Sequence, residues 1–211
     1  MVAGGPVSPP AAVARELPAD PAVVIAADSG VEHAHTLGLS VDTVIGDFDS
    51  IDDAALAQAT AAGAALDRHP HEKDQTDLEL ALDLACVRAG AGGSVVVVAS
   101  VGGRLDHALA NLFLLASPAY AGARVEAYVD EWHVTVVRDE ARIRTRAGAV
   151  VTLLPIGGDA TGIRTQNLTY PLKHETLPAG TSRGVSNVAE SAEIVVAVES
   201  GVLFALWRWA D

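Results

Sequence analysis

The sequence predicts an N-terminal, mostly parallel α/β domain followed by a C-terminal all-β domain. From residue 22 to about residue 129, short apolar runs alternate with amphipathic stretches, a pattern typical of βαβ units. Beyond about residue 133, short alternating segments are broken by Gly, Pro and Asn. With 50% hydrophobic and 19% charged residues, the composition is that of a folded chain. We expect a flexible tail over residues 1–20, an α/β domain over 21–132 and a β-sandwich-like domain over 133–211.

Five strands are expected in the first domain, because each of five short segments is rich in the β-branched or apolar residues of a sheet covered on both faces. They are Val23–Ala27, Thr43–Ile45, Ala64–Leu66, Val95–Ala99 and Val125–Val129. Two helices are predicted between them. The first begins at Thr76, whose hydroxyl and Glu79 form a capping box, and it buries a stripe of Leu78, Ala81, Leu82 and Ala85. The second follows Asp106 and carries the stripe Leu109, Leu112, Phe113 and Ala116.

Six strands are expected in the second domain, at spacings typical of a small sandwich or barrel. They are His133–Arg138, Ala141–Arg144, Val150–Leu154, Gly162–Asn167, Ile194–Val198 and Val202–Trp207. The sequence contains neither an internal repeat nor a low-complexity linker between the two domains.

Charge and hydropathy argue against two classes of protein, and the position of the acidic residues leaves two interpretations open. The net charge of −13 argues against a protein that binds nucleic acid through a basic face, and no apolar run reaches the roughly 18 residues of a membrane span. Residues 1–79 hold 14 acidic but only three basic residues, so nearly all the negative charge is N-terminal. Such an excess indicates either a solvated acidic face or carboxylates that a divalent metal ion holds together.

Four polar segments follow predicted strands of the first domain, where open α/β sheets bind their ligands. They are Asp28-Ser29-Gly30, Gly46–Ser50, Glu72–Asp77 and Gly102–His107. Within Gly46–Ser50, two aspartates flank Phe48, so both carboxylates are expected on one side of a loop. Hard oxygen ligands of this kind suit Mg²⁺, whereas a turn followed by a helix cap is the structural alternative. Together the four segments predict a polyphosphate site.

The last two segments place a cation beside the acids. Lys73, one of only two lysines, precedes Asp74 and Asp77 at a predicted helix start and is suited either to a phosphate or to a salt bridge. Arg104, after Gly102 and Gly103, is a bidentate phosphate donor. The alternative is that the glycines make a turn and that the acids cap the following helices.

These segments, in this order, resemble the thiamine pyrophosphokinase family. The resemblance also includes Asn167–Leu172, Gly184–Asn187 and Gly201–Phe204, and so extends over nearly the whole chain. It implies transfer of the pyrophosphoryl group of ATP to the hydroxyl of thiamine, giving thiamine diphosphate and AMP. It further implies an N-terminal α/β domain, a C-terminal β-sandwich, and a homodimer with active sites between subunits.

The resemblance assigns roles to individual residues by matching position. Asp47, Asp49 and Asp77 are the expected Mg²⁺ ligands, and with Asp74, the candidate base for the thiamine hydroxyl, they form the expected catalytic group. The expected nucleotide and phosphate contacts are Asp28, Ser29, Gly30, Lys73, Arg104, Asp106 and His107. Ser186 and Asn187 are the expected thiamine contacts. Ser29 departs from the family pattern, where a second glycine is common.

Two other functions stay open at this point. One is pyrophosphoryl transfer to a related acceptor such as a hydroxymethyl-pterin, and the other is a non-catalytic regulator that only binds nucleotide. The number of carboxylates suited to a metal favours catalysis.

Thiamine is a cationic heterocycle, so aromatic side chains are candidate partners, and those considered are Trp132, Phe204, Trp207 and Trp209. We expect a cytoplasmic protein that uses ATP and Mg²⁺ and binds neither nucleic acid nor membrane.

Overall fold

The structure, a computed structural model, describes residues 1–4, 10–100 and 104–208. It divides into two units. Unit 1 consists of Met1–Leu114 and Gly122–Asp130, and unit 2 consists of Leu115–Ala121 and Glu131–Asp211. The predicted boundary at residues 132 and 133 lies close to the division after Asp130, but the structure also assigns Leu115–Ala121 to the second unit.

Unit 1 contains parallel strands that alternate with helices along the chain. Strands β1 (Ile25–Ala27), β2 (Thr43–Gly46) and β3 (Ala65–Arg68) form one parallel set, and β4 (Ser94–Ala99) pairs in parallel with β5 (Arg124–Val129). The parallel N-terminal sheet predicted from the sequence is therefore confirmed. Each strand begins within two residues of its predicted start, because apolar and β-branched runs mark the strands. All four residues of β3 are exposed, so the expectation that this strand is covered on both faces is wrong.

Five α-helices accompany these strands in the described part of the chain. They are α1 (Pro10–Glu16), α2 (Gly30–Thr36), α3 (Asp53–Ala61), α4 (Asp77–Ala89) and α5 (Leu105–Leu115), and a short 3₁₀ helix covers Pro118–Tyr120. Within the described part of the chain, no helix is both long enough and apolar enough to cross a membrane.

Helix α4 agrees with its prediction, and α5 forms where the sequence predicts it, but part of its predicted apolar stripe is exposed. The Thr76 hydroxyl accepts a hydrogen bond from the Glu79 amide at 3.2 Å, and all four residues of the predicted stripe of α4 are buried. In α5, by contrast, Leu109 and Phe113 are 44% and 57% exposed, so the prediction that they form a buried face is wrong. Periodicity identifies the apolar face of a helix but not whether the chain supplies a surface to cover that face.

The first three residues lie inside unit 1 rather than in a flexible tail. Val2 forms parallel bridges with Ala26 of β1 and Val98 of β4, and its amide donates to the Ile25 carbonyl at 2.8 Å. The Ala3 amide donates to the Val98 carbonyl at 2.8 Å, and Val2 is only 1% exposed. The expected tail over residues 1–20 is thus wrong for Met1–Ala3, which connect the set β1–β3 with the pair β4–β5.

Unit 2 is an antiparallel β region, as the sequence predicts. Its strands are β6 (Trp132–Val137), β7 (Glu140–Arg144), β8 (Val150–Pro155), β9 (Ala160–Gln166), β10 (Lys173–Leu177), β11 (Asn187–Val188), β12 (Glu193–Ala197) and β13 (Leu203–Arg208). One antiparallel set runs β11-β8-β13-β6 and the other runs β10-β9-β12-β7. Strands β10 and β11 are additions to the predicted six, and the sandwich arrangement stays a prediction.

We predict that Val2→Asp lowers the free energy of unfolding by at least about 2 kcal/mol, because the carboxylate would be buried between strands without a partner. The matched control is Val87→Asp on α4, where the side chain is 78% exposed and a change within about 0.5 kcal/mol is expected. Urea denaturation of both variants measures the difference. Equal stabilities for the two variants would contradict the inserted position of Val2.

Candidate active site

Three carboxylates meet at the carboxyl ends of the first two strands. Asp28 follows β1, Asp47 follows β2, and Asp77 is the first residue of α4. One ligand atom from each lies within 4.8 Å of the other two. Parallel pairing of Ala27 with Ile45 brings the two strand ends together, so residues 19 positions apart in sequence face one site. We refer to Asp28, Asp47 and Asp77 as the carboxylate cluster.

The backbone at Gly46 allows the cluster to be this tight. Gly46 has a φ of +146°, a conformation that side chains rarely adopt. A Cβ atom added there would lie 3.0 Å from the Asp77 Oδ1 atom and 3.4 Å from the Asp28 Cβ atom. Glycine at this position therefore lets β2 end directly against both neighbouring carboxylates.

Lys73 supplies the positive charge within the cluster. Its Nζ atom is 2.9 Å from the Asp47 Oδ2 atom and 3.2 Å from the Asp77 Oδ1 atom. The hydrogen bond from Lys73 lowers the pKa of Asp47. Burial by itself would lower the pKa of Lys73, but its contacts with Asp47 and Asp77 outweigh burial and raise that pKa. Both groups are therefore charged at neutral pH.

Two oxygens of the cluster, Asp28 Oδ1 and Asp77 Oδ1, are buried without a hydrogen-bond partner among the described residues, although Asp77 Oδ1 lies in the ion pair with Lys73. Asp28 is 8% exposed, and its Oδ2 atom accepts a hydrogen bond from the Ser50 hydroxyl. Its Oδ1 atom is buried and receives no hydrogen bond from the described residues. An unpaired buried carboxylate oxygen is costly, so the site suits an additional cation more than a purely structural role.

Asp49 lies in a second group that shares Asp47. Ligand atoms of Asp47, Asp49 and His71 are within 4.8 Å of one another, and the His71 Nε2 atom is 3.4 Å from the Asp49 Oδ2 atom. Asp49 and His71 are both exposed, unlike Asp28. The predicted ligand set of Asp47, Asp49 and Asp77 is thus divided in the structure between the two groups. The sequence predicts Asp28 as a phosphate contact rather than a metal ligand and does not single out His71, because neither belongs to the local Asp-Phe-Asp pattern.

The expected phosphate contacts on the fourth segment are exposed at the start of α5. The Arg104 guanidinium donates to both carboxylate oxygens of Asp106, at 2.9 and 2.7 Å, and each side chain is 65% exposed. The hydrogen bond from Arg104 lowers the pKa of Asp106. His107 is also exposed. Gly102 and Gly103 lie outside the described residues.

Ser29 and Gly30 have local structural roles at the start of α2. Ser29 is the N-cap residue, although its side chain makes no capping hydrogen bond. A Cβ atom on Gly30 would lie 2.3 Å from the Val2 carbonyl oxygen, so glycine allows α2 to approach the inserted N-terminal segment. Asp74 is exposed in the turn before α4 and belongs to neither carboxylate group.

The expected thiamine contacts lie in unit 2. Ser186 is exposed and has a φ of +61°, whereas Asn187 is buried and binds the backbone of Tyr170. Among the aromatic candidates, Phe204 and Trp207 are only 3% and 6% exposed, so neither presents a free ring at the surface. Trp132 is half-buried, and Trp209 is outside the described residues.

Comparison with known proteins identifies both parts of the chain. Residues 14–127 match the family model "Thiamin pyrophosphokinase, catalytic domain", and residues 134–203 match "Thiamin pyrophosphokinase, vitamin B1 binding domain". The chain belongs to the thiamin pyrophosphokinase family. The carboxylate cluster falls within the segment matched to the catalytic domain of this family, and Ser186 and Asn187 fall within the segment matched to its vitamin B1 binding domain.

Individual members of the family agree with this assignment. The chain is 26% identical over 181 residues to thiamine pyrophosphokinase of Bacillus subtilis, covering 75% of this chain and 81% of that protein. The crystal structure of a Bacillus subtilis thiamine pyrophosphokinase has a TM-score of 0.81 at 24% identity, with 100% of this chain and 97% of that chain covered. Thiamin pyrophosphokinase from Candida albicans shares the fold at 12% identity, with a TM-score of 0.79 and coverages of 98% and 88%.

We predict that Lys73→Met destabilises the metal-free protein by about 1.5–3 kcal/mol at pH 7, because the substitution removes a charged hydrogen bond to Asp47 and an ion pair with Asp77. Because Lys73 lowers the pKa of Asp47, the stability that Asp47 contributes is present above its unfolded pKa of about 3.9 and is lost as pH falls through the folded pKa. The deficit of the variant should therefore shrink below about pH 4. Urea denaturation with a chelator, from pH 3 to pH 7, measures this difference.

The control for this prediction is Lys173→Met, which removes the only other lysine of the chain from an exposed position on β10. Its stability should stay within about 0.5 kcal/mol of the unchanged protein at each pH. A Lys73→Met deficit that matches the control, or that does not change with pH, would contradict the described pairing.

Proposed function

We propose that this protein transfers the pyrophosphoryl group of ATP to the hydroxyl of thiamine, giving thiamine diphosphate and AMP. The observation that carries the proposal is the carboxylate cluster around Lys73, inside the segment matched to the family's catalytic domain. The separate match of residues 134–203 to a vitamin B1 binding domain favours thiamine over a hydroxymethyl-pterin as the acceptor.

A divalent cation fits the residues present at the cluster. Asp28, Asp47 and Asp77 offer three close carboxylate oxygens, and the Asp28 Oδ1 atom lacks a hydrogen-bond partner among the described residues. An all-oxygen donor set of this kind is the type that Mg²⁺ prefers. When bound, Mg²⁺ would neutralise part of the polyphosphate charge. Asp49 and His71 form a second group with Asp47. In this group Asp49 would be a Mg²⁺ ligand, the role that the family resemblance implies.

The basic residues have complementary roles toward the phosphates. The Lys73 ammonium lies between Asp47 and Asp77 and supplies the positive charge of the cluster. A metal cation bound to the same carboxylates would take over this role, and Lys73 could then contact a phosphate oxygen. Arg104 is exposed, and its planar guanidinium, now paired with Asp106, is suited to a phosphate in the same bidentate geometry. Both residues would offset charge that develops on the departing AMP.

The transfer requires one bond to form and one to break. The thiamine hydroxyl oxygen attacks the β-phosphorus of ATP, and the bond from the β-phosphorus to the bridging oxygen of AMP breaks. We assign the hydroxyl proton to the carboxylate of Asp74, which is exposed and directly follows Lys73 in the sequence. In phosphoryl transfer, positioning and charge stabilisation contribute more than the strength of the base.

Product identification tests the proposed reaction. The purified full chain is incubated with thiamine, ATP and Mg²⁺, with a chelator control, and the products are identified by mass spectrometry. We expect thiamine diphosphate and AMP in equal amounts, and neither in the chelated sample. AMP formed only with another hydroxymethyl heterocycle would contradict the acceptor, and ATP binding without any product would favour the regulator.

We predict that Asp28→Asn reduces turnover at least about 10-fold and raises the Mg²⁺ concentration needed for half-maximal activity, because it removes the charge of the buried carboxylate. Asp49→Asn, at the exposed second group, should have the smaller effect of the two. Asp53→Asn, an exposed carboxylate on α3, is the control and should keep normal activity. Steady-state rates over a range of Mg²⁺ concentrations measure all three variants. A larger loss for Asp49→Asn than for Asp28→Asn would instead support the ligand set predicted from the sequence.

Two further features stay predictions. The family resemblance implies a homodimer with active sites between subunits, and sedimentation equilibrium of the full chain tests this oligomeric state. The cytoplasmic location expected from the sequence is likewise a prediction, which fractionation of cells that express the protein would test.

A further inference from the structure

Arg68 contacts both the backbone and the ring of the Asp-Phe-Asp segment that follows β2. It is the last residue of β3 and pairs in parallel register with Gly46, the last residue of β2. Its Nη1 atom donates a hydrogen bond to the Asp47 carbonyl at 3.1 Å. Its guanidinium carbon lies 4.5 Å from the centre of the Phe48 ring. The end of β3 is therefore joined to the segment that carries Asp47 and Asp49.

The backbone of this segment adopts a conformation that a phenylalanine rarely takes. Phe48 has a φ of +67°, in the left-handed region that favours glycine. A bulky residue stays in this region only where its surroundings determine the conformation. The Phe48 side chain is only 9% exposed, and the Arg68 guanidinium lies over its ring at the distance of a cation–π contact. The contact with Arg68 is thus one of the interactions that keep the chain turned at Phe48.

The turn at Phe48 determines where the two flanking carboxylates lie. The Asp49 amide donates a hydrogen bond to the Asp47 Oδ1 atom at 3.2 Å, so the chain folds back across Phe48. Ligand atoms of Asp47 and Asp49 lie within 4.8 Å of each other, and Asp47 also belongs to the carboxylate cluster. A change of backbone conformation at Phe48 would therefore displace carboxylates of both candidate metal groups.

We propose that Arg68 is a positioning residue for metal binding, which acts by holding the Asp47 carbonyl and the Phe48 ring. This inference rests on the proposed function, since it takes Asp47 and Asp49 as ligands of a divalent cation. Arg68 is exposed, and its one hydrogen bond within the described part of the chain goes to a carbonyl rather than to a carboxylate. A planar guanidinium is suited to this double contact, because it donates in its plane and packs on a ring through its face.

The direction of the change in affinity separates positioning from simple electrostatics. Arg68 carries a positive charge close to the proposed cation site, so removing that charge should by itself strengthen cation binding. Loss of a positioning contact should weaken cation binding instead, because the ligands then have to be ordered when the metal binds. Arg68→Met removes the guanidinium but keeps an unbranched apolar side chain, so the two effects predict opposite results for this variant.

Electron paramagnetic resonance of free Mn²⁺ measures the metal affinity of the full chain, both without substrates and with a non-hydrolysable ATP analogue. Arg68→Met should bind Mn²⁺ at least about 5-fold more weakly than the unchanged protein. Arg68→Lys, which keeps the charge without the planar group, should have an intermediate affinity. Arg88→Met removes an exposed arginine from α4 and is the control, expected to stay within about 2-fold. Unchanged or tighter binding by Arg68→Met would overturn the positioning role.

A double-substitution cycle tests whether Arg68 acts through the ring. Phe48→Leu keeps an apolar side chain without the aromatic face and should also weaken Mn²⁺ binding. In a Phe48→Leu background, Arg68→Met should cause a smaller further loss than it does alone, because one of its two contacts is already absent. Fully additive losses would show that Arg68 does not act through Phe48.

Stability and kinetics separate positioning from a merely structural role. A structural role would lower the free energy of unfolding in urea and leave Mn²⁺ affinity unchanged. The positioning role predicts that folded Arg68→Met needs more Mg²⁺ for half-maximal activity, with the KM for thiamine unchanged. Circular dichroism verifies that each variant is folded, and the exposed position of Arg68 keeps this test available even where Phe48→Leu does not fold.

Two results distinguish the failure of this inference from failure of the proposed function. If the unchanged protein makes thiamine diphosphate while Arg68→Met binds Mn²⁺ with normal affinity, the role of Arg68 is wrong and the proposed function stands. If the unchanged protein binds no Mn²⁺ under either condition, this inference fails, and the product assay decides the proposed function separately.

Discussion

Three carboxylates occupy one small site at the carboxyl ends of the first two strands, and the surrounding residues have to offset the repulsion between them. Lys73 offsets part of that charge through its contacts with Asp47 and Asp77, but the Asp28 Oδ1 atom is left buried and unpaired among the described residues. Additional positive charge would offset the remaining repulsion. If the cluster binds a cation with its phosphates, as we propose, this binding and the stability of the fold are linked through the same atoms.

The fold provides the positions that this charge cluster needs. Parallel pairing of β1 with β2 aligns the residues before Asp28 and Asp47, and the capped start of α4 adds Asp77. Gly46 allows the close approach of the third carboxylate, because a side chain there would meet the Asp77 Oδ1 atom. The inserted residue Val2 joins the strand set that carries the cluster to β4, so unit 1 depends on a contact between distant parts of the sequence.

The sequence predicts features that depend on neighbouring residues, but not contacts between residues that are far apart in the chain. The Thr76 cap and the buried stripe of α4 depend on residues within one helix, and the strands other than β10 and β11 were predicted from their own sequence segments. The insertion of Met1–Ala3 depends on Ala26 and Val98, which no local pattern connects to residue 2. In the same way, the Asp-Phe-Asp pattern predicted that Asp47 and Asp49 act together. In the structure, pairing of β1 with β2 places Asp28 beside Asp47 in the carboxylate cluster.

The second unit shows the same limit for aromatic side chains. Phe204 and Trp207, which the sequence offered as candidates, are buried in β13 because both fill the core of unit 2. Aromatic composition by itself therefore does not separate rings that pack in a core from rings that face a ligand.

The most direct test of the central claim is a crystal structure with Mn²⁺ and a non-hydrolysable ATP analogue, in which anomalous scattering locates the metal. We expect an anomalous peak bound by Asp28, Asp47 and Asp77, with the Lys73 ammonium moved from the carboxylates to a phosphate oxygen. A peak held only by Asp49 and His71, with Lys73 still between Asp47 and Asp77, would contradict metal binding by the carboxylate cluster.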